Sequence, residues 1–202
     1  YVLPGSVDAL VATLAGGSPV LVLQKLGAGP VPGWHYAVVA GYAASRDQFI
    51  LRSGTERRKA TEAAHFLATW ERAGRWAMVA LEPGVLPPTA DLGRYMEAAA
   101  GLEAVGRLDA AAPAYAAAAR QWPNEPLPQF ALANLAYTRG DLVAAERGYR
   151  EVAHLDPADA AARNNRAEVL GQMGCGTAAR QEVEAARVGT IRGSIDGIDR
   201  ER

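Results

Sequence analysis

A histidine stands at the mouth of an almost wholly apolar run in "GWHYAVVAGY", residues 33–42, just behind the Gly- and Pro-rich stretch "LGAGPVPG". Imidazole is the side chain whose unperturbed titration falls near neutral pH, so His35 is the first residue to examine as a proton acceptor. On strand position alone, a histidine there is more often a satisfied structural residue. The other two histidines, His65 and His154, are far from it and from each other, and no metal-ligand spacing links the three. They read as surface or packing residues, and no metal or other cofactor is expected. The sole cysteine, Cys175, excludes an internal disulfide and a cysteine-based metal cluster.

The elements that must position His35 come from a chain of 202 residues, half of them hydrophobic, with a formal net charge of -1. That length suits one large domain or two small ones, and the charge offers no basic field for nucleic acid. The longest apolar run, roughly nine residues from Tyr36, is too short to span a bilayer.

The pattern changes at "EPGVLPPTADLG", residues 82–93, where three prolines and two glycines mark a break. Before it, "SPVLVLQ" (18–24), "HYAVVAGY" (35–42), "QFILR" (48–52) and "RWAMVAL" (75–81) read as short strands. Helices are expected over 6–15, capped by Ser6, and over 61–73, capped by Thr61. "TERRKATE" (55–62) reads as a solvated loop feeding that second helix. Gln24 is expected to face solvent, and Trp34 either shields the His35 ring or packs under the loop. The first half is thus an α+β unit with antiparallel strands.

After the break the sequence repeats. Gly106, Gly140 and Gly174 lie 34 residues apart, as do Ala111, Ala145 and Ala179, then Tyr115, Tyr149 and Val183, and Pro123 with Pro157. Glycine to end a first helix, alanine for close contact in a second and proline to stop it form one repeated device. The pattern resembles the tetratricopeptide repeat, best in "PLPQFALANLAYTRGDLVAAERGYREVAHLDPAD". Repeats are placed at 92–125, 126–159 and 160–193, after a linker at 86–91 and before a frayed tail at 194–202. The first departs from pattern at Pro113, and the third at Arg166, which takes a normally apolar position. The resemblance implies an all-α superhelix whose concave groove is lined by Met96 and Ala100, by Phe130, Asn134 and Tyr137, and by Asn164, Asn165 and Glu168. Asparagines there can pair with an extended peptide backbone, so a peptide or protein partner is expected. No lysines accompany them, which argues against a carboxylate clamp. The alternative is that the repeats only pack on the first domain.

The series "PVLVLQ … WHYAVVAGY … FILRSG", over 19–54, resembles the histidine lobe of the double-glycine cysteine peptidases, papain-like enzymes that process bacteriocin leaders. It is most similar to the bacterial branch in which such a peptidase precedes tetratricopeptide repeats. The resemblance puts the catalytic histidine on His35 and the position of the orienting aspartate on Ser53, within a partial papain-like lobe at 1–85. Asp47, the nearest acid, lies at the opposite end of its strand. The family's nucleophilic cysteine and its oxyanion glutamine precede the first strand, yet none of the 18 residues before Pro19 is cysteine. The expectation is the rear part of a longer bacterial peptidase or a lobe that has lost its nucleophile, inactive as it stands, with a cell-envelope setting. The alternative is a non-catalytic scaffold whose repeats bind a partner protein.

Overall fold

A computed structural model describes residues 1–27 and 33–199, with side chains through 187. Two compact units divide the chain, Tyr1–Ala98 and a second beginning at Ala99. The division falls inside a helix rather than in the expected 86–91 linker, because Tyr95 belongs to the first unit. Its ring lies 6.3 Å from that of Tyr1, and its hydroxyl donates to the Val85 carbonyl at 3.2 Å.

In the first unit, α1 (Val7–Ala15) starts at Ser6, whose hydroxyl accepts from the Ala9 N–H at 3.1 Å. Strands β1 (Val20–Leu26), β2 (Gly33–Ala43), β3 (Gln48–Ser53), β4 (Glu56–Glu62) and β5 (Ala77–Val79) form an antiparallel sheet in the order β4-β3-β2-β1-β5. Successive side chains on a strand point to opposite faces, so Val20, Val22, Ala37, Val39, Phe49 and Leu51 share one face. Helix α1 and helix α2 (Ala63–Glu71) seal that face with Leu10, Phe66 and Trp70, all fully buried. Phe49 and Phe66 approach with centroids 4.4 Å apart, and the Trp70 indole N–H donates to the Trp76 carbonyl at 2.9 Å.

Two expectations are corrected here. The stretch read as a solvated loop is the edge strand β4, formed by pairing with β3 rather than by apolar content, since every residue but Thr61 is exposed. Thr61 therefore sits in the strand opposite Phe49, and α2 begins at Ala63 without a side-chain cap. The opposite edge is occupied: Val2 bridges to Met78, and the Leu3 N–H donates to the Ala77 carbonyl at 2.9 Å.

The helices that follow in the chain are α3 (Leu92–Ala104), α4 (Leu108–Gln121), α5 (Pro126–Thr138), α6 (Leu142–Leu155), α7 (Ala160–Gln172) and α8 (Gly176–Asp199), with α5 packed on α6 and α7 on α8. Gly106, Gly140 and Gly174 sit in the three turns with φ of 75°, 77° and 79°, a left-handed backbone that explains the glycine column. Ala111, Ala145, Tyr115 and Tyr149 are buried, whereas Val183 in the last pair stays exposed. Helix α4 runs through Pro113 unbroken, and α8 extends across the expected tail as far as Asp199, with 200–202 outside the described residues.

Arg166 also finds its reason. From α7 it reaches Glu146 of α6 at 2.8 Å and Glu182 of α8 at 2.7 Å, all three side chains less than a fifth exposed. Helices α5 and α6 approach closely at Gly148, where a Cβ would lie 2.8 Å from that of Ala133. Gly148→Ala is therefore expected to cost about 1–3 kcal/mol of strain, outweighing a helix-propensity gain of up to about 1 kcal/mol. Gly101→Ala, with nothing within 4 Å of its Cβ, is expected to stabilise instead. Urea denaturation of the two variants reads the opposite signs.

Candidate functional site

His35 lies near the start of β2, directly opposite Gln24 of β1, on the helix-covered face. Its ring is partly buried, and Nε2 lies 2.7 Å from the hydroxyl oxygen of Ser53, the last residue of β3. Gly54 follows with φ of 58° and turns the chain into β4. A ring protonated on Nε2 donates to Ser53 and leaves the Nδ1 lone pair as the basic one. No side chain among the described residues bonds Nδ1. Ser53 fixes the ring by this bond and carries no charge itself. Asp47, at the far end of β3, is instead held by the Tyr42 hydroxyl at 2.7 Å.

Gln24 corrects a sequence expectation, since it is only 4 % exposed rather than solvent-facing. Its amide donates to the Thr69 hydroxyl at 2.7 Å, and that hydroxyl donates onward to the Phe66 carbonyl at 2.7 Å. Trp34 does not shield His35. As its neighbour in a strand it points to the other face, 58 % exposed, with the Lys25 ammonium 5.7 Å from its ring centroid. Cys175, the only thiol, is exposed in the turn between α7 and α8 of the second unit.

The second unit holds a separate depression of about 360 Å³ lined by Asn134, Tyr137, Thr138, Tyr149, Asn165 and Glu168. Phe130 and Asn164 are not among its lining residues. Phe130 packs edge-on against Tyr149 at 5.8 Å, and Asn164 is exposed. The Tyr149 hydroxyl donates to Asn134 Oδ1 at 2.7 Å, and Asn165 lines the same depression. Desolvation of the buried ring is the main reason its ionisation is pushed up, which favours the neutral, donating hydroxyl. Tyr149 thereby orients the Asn134 amide, whose N–H groups have no side-chain partner among the described residues. Gln172 donates to the Tyr137 hydroxyl at 2.8 Å and to Glu168 at 2.9 Å, bracing the rim. The 34-residue period marked Tyr149 for its ring, and nothing in that period signalled its hydroxyl.

Together these features define an α+β unit joined to helix hairpins of 34-residue period, the organisation that the tetratricopeptide resemblance implies. No protein-family model and no curated protein matches the chain. Among solved structures it is similar to the crystal structure of MamA, at 13 % identity and a TM-score of 0.49, over 52 % of this chain and 61 % of that one. It is also similar to the Yersinia enterocolitica type III secretion translocator chaperone SycD, at 19 % identity and 0.46, over 48 % and 74 %. The TPR domain of P58(IPK) is similar at 24 % identity and 0.47, over 50 % and 28 %.

Thr69→Val would strand the buried Gln24 amide and is expected to cost about 1–3 kcal/mol. Adding Gln24→Leu removes the stranded group and should recover most of that loss. A double-mutant cycle by chemical denaturation measures the difference.

Proposed function

We propose that the chain is a protein-interaction module whose helical repeats hold an extended peptide segment of a partner. The observation that carries this reading is the Asn134 amide, held by Tyr149 beside Asn165 in one depression. With Oδ1 held, Asn134 offers its N–H donors, and the Asn165 amide can supply the acceptor that a peptide unit also needs when desolvated. Tyr137 supplies apolar area beside them, and Glu168 favours a ligand without acidic side chains at that point.

A second reading rests on the His35–Ser53 bond at 2.7 Å. In it, the first unit is the histidine lobe of a bacterial papain-like cysteine peptidase of double-glycine type. His35 would take the proton of a cysteine thiol through Nδ1, and Ser53 would fix the ring through Nε2. The first unit contains no cysteine, so in this reading it would act only with a segment that supplies one.

Two experiments test these readings. Peptides selected from a random library displayed on phage are titrated against wild type, Asn134→Ala and Asn165→Ala. Loss of one buried backbone bond, about 1–3 kcal/mol, is expected to weaken binding by roughly five- to a hundredfold. Equal affinities in equally folded proteins would sink the groove. For the second reading, the isolated chain should show no thiol-dependent peptide hydrolysis, and iodoacetamide should label Cys175 alone. Hydrolysis that survives Cys175→Ser would contradict it.

A further inference from the structure

The sheet of the first unit has one open edge. The β5 side is closed by Val2 and Leu3, whereas no strand among the described residues pairs with the outer side of β4. The outward N–H and C=O groups of a seven-residue strand are therefore available to a further chain. Beside that edge, on the face not covered by helices, lies an open depression of about 550 Å³. Its floor includes Ala40, Gly41 and Ile50, and Arg52, Arg57 and Arg58 line it.

The charge there is unbalanced. All three arginines are exposed, and no carboxylate pairs with any of them among the described residues. The acids at the two ends of β4 are engaged elsewhere: Glu56 lies 3.5 Å from the Lys59 ammonium, and Glu62 accepts from Gln48 at 2.7 Å. Charged side chains also protect sheet edges from adventitious pairing, but scattered charges serve that purpose. Three guanidinium groups around one depression, each able to clamp a carboxylate through paired N–H donors, go beyond it.

We propose that the β4 edge binds an acidic peptide segment by strand addition. The peptide backbone extends the sheet beyond β4, and its carboxylates meet Arg52, Arg57 and Arg58. Free backbone groups on the edge favour a peptide over a phosphate polymer, because a phosphodiester chain has no N–H to offer the β4 carbonyls. The site is distinct from the groove between the repeats, and its failure would leave that groove untouched.

The test is fluorescence anisotropy of the whole chain with a labelled peptide of alternating valine and glutamate, as long as β4. Binding is expected, and Arg52→Gln with Arg58→Gln should weaken it by about tenfold or more. Replacing the glutamates by glutamine, or raising salt to about 1 M, should do the same. Replacing the valines by proline keeps the charge, removes the N–H donors and should abolish binding. If the double variant misfolds by circular dichroism, Arg57→Gln alone carries the same expectation at about threefold. No binding to wild type, indifference to the arginines, or equal binding of the proline peptide would overturn the proposal. So would displacement of the peptide by a tighter-binding oligothymidylate, which would assign the cations to phosphate.

Discussion

A sheet sealed by helices on one face only imposes a parity rule on every strand residue in the first unit. Odd positions along the first part of β2 (His35, Ala37, Val39) look toward α1 and α2, while Trp34, Tyr36 and Val38 look away. The burial of Phe66, Trp70 and Leu10 enforces this rule, because a slip of one residue would exchange the apolar set for Tyr36 and Trp34. The same rule places His35 beside Gln24 and Ser53. It also sends Arg52, next to Ser53 in sequence, to the opposite face. An imidazole ring and a basic surface thus arise within a few residues of one another on opposite faces.

Electrostatics separates what each part of the molecule can do. The His35 ring is held by one neutral hydroxyl, that of Ser53. The depression in the second unit is lined by neutral amides, one of them held by the buried Tyr149 hydroxyl, whose ionisation burial disfavours. Neutral donors and acceptors suit a peptide backbone, which is itself neutral and must pair its groups when desolvated. Arginines unpaired with any described acid suit a charged partner. The surfaces thus differ in the kind of interaction they offer.

What could be read from the residues depended on whether a local pattern or a distant contact shaped the element. The glycine column was legible because Gly106, Gly140 and Gly174 each occupy a left-handed turn that disfavours other residues. The starts of α5 and α7 followed from the same period. Strand β4 was hidden, because "ERRKATE" has no apolar alternation and becomes a strand only by pairing with β3. Thr61 looked like a cap for the same reason, and its hydroxyl ends buried without a partner. Gln24 misled because a polar residue at the end of an apolar strand usually faces water, and its partner Thr69 lies 45 residues away. His35 and Ser53 share this long-range character, 18 residues apart in sequence. Only the order of motifs, not spacing along one element, suggested their meeting.

The repeats show how a stack of few units holds its last pair. In such arrays each hairpin is stabilised mainly by its neighbours. Among the described residues no helix follows α8, and Val183, equivalent to the buried Tyr115 and Tyr149, is 42 % exposed. Arg166 compensates from the inner side, joining α6, α7 and α8 through Glu146 and Glu182, while Arg163 adds a second contact to Glu182 at 3.2 Å. An apolar residue at 166 would leave Glu182 with Arg163 alone and Glu146 with the more exposed Arg150 alone. The departure from the apolar pattern at this position is thus coupled to the acids on both neighbouring helices, and these residues make sense only as a set.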